Sequence, residues 1–146
     1  MDFEYMSEED FNKRDSLIFG NDKTEYFGGI ESFGYQDHKG ISYTTAEELM
    51  ELGFLDPNDR QNSAPTAEEF VNFCKKYSQY ESELIGYAVA PRREDCRVSI
   101  EGFIVYGVPE EDTKFLRDFE ELTYYADEKD MDPDTYGNYD YSCWYD

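Results

Sequence analysis

Apolar positions along the chain follow two rhythms, one of period 3.6 and one of period 2, and these divide it into helices and strands. Ser7-Glu8-Glu9-Asp10 reads as a helix start, with Phe11, Leu17 and Ile18 on one face and Gly20 as a stop. In residues 24–43 aromatics alternate with glycine, and Asp37-His38-Lys39-Gly40 has turn chemistry, which predicts a short edge hairpin. Thr45-Ala46-Glu47-Glu48 and Thr66-Ala67-Glu68-Glu69 both read as capping boxes, the first opening a helix that stops at Gly53. Phe70, Phe73, Cys74 and Tyr77 recur at i, i+3, i+4 and i+7, so the second capped helix has a core-facing stripe. From Leu84 to Ala90 and from Cys96 to Val108 the period drops to 2, predicting a strand pair joined through Pro91–Asp95. A last helix is expected from Pro109, burying Phe115, Leu116, Phe119, Leu122 and Ala126. Together these elements predict an α+β fold: an antiparallel sheet, with a central hairpin at about 84–106, packed by three or four short helices. Residues 1–126 form the single domain, and residues 127–146 form an acidic, Tyr-rich segment packed on it or extending it.

Composition raises the question of whether such a chain folds. Leu, Ile, Val and Phe together make up about a fifth of it, near the level at which disorder sets in. Fourteen Tyr, four Met and one Trp compensate, and each buried aromatic ring removes about 150–250 Å² from water. An aromatic-rich core follows. Three widely spaced cysteines, Cys74, Cys96 and Cys143, suit reduced thiols better than a disulfide framework.

Charge narrows the function. Thirteen Lys and Arg stand against thirty-five Asp and Glu, for a formal net charge of −22. Direct binding to DNA or RNA needs a basic footprint and is excluded, and an anionic membrane surface is disfavoured for the same reason. The N-terminal Met1-Asp2-Phe3-Glu4-Tyr5 lacks the basic start and apolar run of a signal peptide, so a cytoplasmic protein is expected. Many carboxylates have a plain explanation in the first turns of the expected helices, where they complement the macrodipole.

The C-terminal segment does not. Asp127, Glu128, Asp130, Asp132, Asp134, Asp140 and Asp146 are offset by Lys129 alone and interleaved with Tyr136, Tyr139, Tyr141, Trp144 and Tyr145. Carboxylates among aromatics make a surface suited to Lys and Arg, through ion pairs and cation–π contacts. Asp127, Glu128, Asp130, Asp132, Asp134, Tyr136, Tyr139, Asp140, Tyr141, Trp144 and Tyr145 are therefore the candidate partner-binding residues. The same aromatics could instead fold back over the sheet, and the two readings are compatible. Asp130-x-Asp132-x-Asp134 has the cadence of a calcium loop, but Thr135 and Tyr141 stand where an EF-hand requires Gly and Glu. No catalytic motif, metal spacing or cofactor fingerprint is present, and His38, the only histidine, reads as a solvated turn residue.

A non-enzymatic inhibitor is thus expected, one that occupies the basic surface of a nucleic-acid-binding protein such as a nuclease or defence effector. In size, acidity and lack of catalytic motif the chain is similar to the DNA-mimic class of phage and mobile-element proteins, which includes antirestriction and anti-CRISPR proteins. No motif of a named family accompanies that similarity. The alternatives are an immunity protein or antitoxin blocking one cognate toxin, and a calcium-responsive binding module.

Overall fold

The computed structural model describes residues 1–146 and has the expected α+β class. Its elements are α1 (Glu8–Phe19), β1 (Ile30–Phe33), α2 (Tyr43–Glu51), α3 (Ala67–Lys76), β2 (Ser82–Val89), β3 (Val98–Val108), α4 (Thr113–Leu122), β4 (Glu128–Pro133) and β5 (Tyr139–Trp144). All the strands pair antiparallel, in the order β1-β2-β3-β5-β4. The helices bring Phe19, Leu49, Phe70, Phe73, Phe115 and Phe119 to one cluster with the sheet residues Leu84, Ala88, Ile100, Phe103 and Val105. Aromatic burial does most of the work here. Phe103 stacks on Phe73 at 5.0 Å and meets Phe70 and Phe119 at 5.8 and 6.0 Å.

Residues 127–146 are built into the sheet. β5 lies between β3 and β4, and its alternation sends Tyr141, Cys143 and then Tyr145 into the core, where Tyr141 packs on Phe115 and Phe119. A register shift at Ile85/Gly86 accommodates one extra residue of β3, so that Glu101 and Gly102 both face away from the helices. Gly102 has no alternative: a Cβ there would lie 2.0 Å from the Cys143 carbonyl oxygen.

Several boundaries differ from expectation, each for a local reason. Residues 24–43 do not pair with one another. β1 pairs with β2 instead, and Ile41 makes a single bridge to Leu84. The N-cap of α2 is Ser42, whose hydroxyl accepts from Thr45 N–H at 3.1 Å, so Thr45 is the third helical residue. Pro109 lies in a turn, and Asp112 caps α4 by accepting from Phe115 N–H. Cys96 precedes β3 and is half-buried. His38 is not solvated. It is 8% exposed, packs on the edge of Phe19 and lies 2.9 Å from Glu31 and 3.3 Å from Asp22. Only the Thr66 box is formed in full, with Glu69 returning the bond to Thr66 N–H. Thr66→Ala and Ser42→Ala should therefore each lower stability by about 1 kcal/mol in urea denaturation. Thr45→Ala should be nearly silent, and equal losses at Thr45 and Ser42 would contradict the assigned cap.

Candidate functional site

The helices cover one face of the sheet and leave much of the other open. Two successive rows of side chains cross that open face. One runs Glu83, Ile104, Ser142, Asp130, and the next runs Ile85, Gly102, Trp144, Glu128. Large and small residues alternate diagonally, so the small pair Ser142 and Gly102 leaves a depression bordered by Ile104, Ile85 and Trp144. Its remaining wall is Tyr35, 43% exposed, delivered by the loop after β1.

That loop is held tightly. Gly34 adopts φ +84°, and a Cβ on it would come within 2.2 Å of Ile85 Cγ2, so only glycine lets the backbone pass this close. Gly34 N–H donates to the His38 carbonyl at 2.8 Å, and the buried His38 ring anchors the turn from beneath. Tyr35 hydroxyl then donates to Glu101 at 2.9 Å. Burial raises the Glu101 carboxyl above its ordinary value, partly opposed by hydrogen bonds from Tyr35 and Trp144. The cleft between Tyr35 and Trp144 on the β4 side has a volume of about 330 Å³, and a second of about 520 Å³ lies on the Phe27 side.

Carboxylates dominate this face. Glu128, Asp130 and Asp132 follow one another along β4 at alternate positions, about 6.8 Å apart, and Asp140 lies directly across from Asp132. None of these four forms an ion pair within the chain. Lys129, on the same strand, points to the other side and pairs with Glu120 at 3.0 Å. By contrast a cleft of about 610 Å³ between α3 and α4 sets Arg60 and Lys76 against Glu69, Asp118 and Glu121, so that its bases offset all but one of its acids.

The residues singled out in the sequence fall into separate roles. Glu128, Asp130, Asp132, Asp140 and Trp144 share the open face. Asp127 instead accepts from Asp146 N–H at 2.8 Å and ties down the C-terminus. Asp134 closes the β4–β5 turn by accepting from Tyr136 and Asn138 N–H groups, with Tyr136 exposed at the tip. Tyr139 is half-buried against the core, while Tyr141 and Tyr145 lie inside it and are not available to a partner. With Asp130 and Asp132 on a strand and Asp134 engaged by its own turn, the three do not converge as calcium ligands, and no group of three His, Cys, Asp or Glu side chains does so elsewhere. Tyr35, Glu83, Glu101, Ile104 and Tyr106 also belong to the face and lie outside the acidic, Tyr-rich segment that the sequence singles out. The outward phase of Glu101 follows from the alternation of β3, but Ile104 shares that face only through the bulge at Glu101 and Gly102, and no spacing announces the approach of Tyr35 to Trp144.

A second polar cluster lies inside the fold. Arg14, fully buried on α1, donates to Asp15 at 2.8 Å, Val89 carbonyl at 2.9 Å, Tyr26 hydroxyl at 3.0 Å and Cys96 Sγ at 3.5 Å. Tyr26 hydroxyl in turn donates to Asp15. Burial pushes the Cys96 thiol up, with Arg14 opposing, so this cysteine is held as a thiol within a structural network. No helix is long and apolar enough to cross a membrane. No protein-family model matches the chain, and no curated protein or solved structure matches it either, so the reading of the open face rests on its own geometry.

Proposed function

We propose that the protein is a non-enzymatic inhibitor that acts in the cytoplasm by occupying the basic, nucleic-acid-binding surface of another protein. The observation that carries this reading is the unpaired row Glu128, Asp130 and Asp132, facing Asp140 and Trp144 on an open sheet face. A regular row of carboxylates replaces phosphates at a site built for them, and the net charge of −22 steers a basic partner onto it. Antirestriction and anti-CRISPR proteins of the DNA-mimic class provide the functional analogy, which rests on size and acidity.

The test is capture of partners from a host lysate at low salt, followed by stepped salt elution and competition with DNA or RNA. A nuclease or other nucleic-acid-binding protein displaced by either competitor supports the reading. A partner indifferent to nucleic acid overturns it. Replacing Glu128, Asp130 and Asp132 by Gln, Asn and Asn should weaken that capture and at the same time stabilise the fold. Removing the Asp132–Asp140 repulsion alone contributes about 0.2–1 kcal/mol, readable as a raised Tm. Unchanged affinity would remove the β4 row from the interface.

A further inference from the structure

We propose that the 330 Å³ cleft beside Trp144 is a receptor for one arginine side chain of a basic partner protein, an inference that rests on the inhibitor reading above and gives it a point of contact. The cleft is built in layers that match arginine from stem to head. Ile85 and Ile104 form an apolar floor suited to the aliphatic stem. Tyr35 and Trp144 supply π-faces as walls, and Tyr35 is fixed by its bond to Glu101 and by the Gly34 approach to Ile85. Glu128 and Asp130 stand at the mouth, neither paired with a cation of this chain.

Arginine fits this arrangement better than lysine. Two carboxylates about 6.8 Å apart along a strand can share one planar fork of five N–H donors, whereas an ammonium is a point charge. A guanidinium also stacks on aromatic faces. The cleft is small for a nucleotide or drug-sized ligand and lies at the low end of small-ligand pockets, which suits a single inserted side chain. Charge complementarity excludes an anionic occupant.

Trp144 is the only tryptophan, so its fluorescence reports on the cleft directly. The probe is a blocked pentapeptide alternating glycine and arginine, with lysine and citrulline counterparts of the same length. The arginine peptide should perturb Trp144 emission saturably, the lysine peptide should bind about tenfold more weakly, and the neutral citrulline peptide should not bind. Tyr35→Ala leaves net charge unchanged and removes one exposed ring. It should weaken the arginine peptide about tenfold and bring the two cationic peptides level. Glu128→Gln with Asp130→Asn should abolish the preference, while Glu48→Gln with Glu68→Gln, the same loss of charge on the helical side, should preserve it. Equal binding of both cationic peptides, or insensitivity to Tyr35→Ala, would overturn the arginine cleft without touching the inhibitor reading, which stands or falls on competition by nucleic acid.

Discussion

Above pH 10 the protein should unfold in one cooperative step, with its buried tyrosines ionising only as the sheet is lost. Tyr26, Tyr77, Tyr141 and Tyr145 are all buried, and burial is the leading cause that raises each hydroxyl above its usual value of 10. Tyr145 is pushed up to about 12. Below pH 10 these groups are protonated in both folded and unfolded chains and cancel. As pH rises past 10 the unfolded chain releases protons that the folded chain retains, so stability falls. Each retained proton removes about 1.4 kcal/mol per pH unit, and four together remove roughly 5 kcal/mol per unit between pH 10 and the folded values. That loss rivals the whole stability of a domain, about 5–15 kcal/mol. Parallel records of far-UV circular dichroism and tyrosinate absorbance against pH provide the measurement. Absorbance accounting for all fourteen tyrosines near pH 10 in a chain that keeps its dichroism would show that the aromatic interior is wrongly assigned.

The acid limb follows the same rule with two opposing signs. Burial of Glu101 raises its carboxyl above 4.5, so its contribution is present at low pH and lost as pH rises through the folded value. Asp118 behaves in the opposite way. The Tyr77 hydroxyl, then Lys76, hold its carboxyl below 3.8, so its contribution is lost as pH falls through the folded value. Mild acidification also relieves the repulsion within a chain of charge −22. The optimum is therefore expected on the acid side of neutrality.

Elements whose partners are local were the legible ones. The Thr66 box and the Phe70–Tyr77 stripe lie within one helix, and β2 with β3 is a hairpin, so spacing and period carry the information. The 127–146 segment was harder, because Asp, Gly and Pro are depleted in strands and masked the alternation of Tyr139, Tyr141, Cys143 and Tyr145. Insertion of β5 between β3 and β4 supplies the burial that overrides that propensity. The same insertion divides the predicted interface: odd positions from Tyr141 to Tyr145 go inward, and Asp140, Ser142 and Trp144 go out. Tyr35 and Trp144 are joined only by the fold, and no spacing in the chain announces their shared cleft. The burial of His38 is hidden from the sequence for the same reason, since Asp22 and Glu31 reach it from separate segments.

Arg14 is the clearest case of a signal that was present and carried a second meaning. Phe11, Arg14, Asp15 and Ile18 complete an i, i+3, i+4, i+7 stripe on α1, which places a charged pair on the buried face. Breaking that pair should cost far more than its presence contributes. Arg14→Met leaves Asp15 buried beside Tyr26 with no cation, and a loss of about 3–5 kcal/mol is expected in urea denaturation at neutral pH. Asp15→Asn in the Arg14→Met background removes the stranded charge while Tyr26 keeps a polar partner. The double variant should therefore be more stable than Arg14→Met alone, a coupling of opposite sign to simple addition. The Val89 carbonyl loses its Arg14 donor in both variants but keeps the Cys96 thiol as a donor, so that term cancels between them. A double variant that loses as much as the sum of the two single losses would mean that Arg14 and Asp15 act independently. The network would then be a set of separate hydrogen bonds.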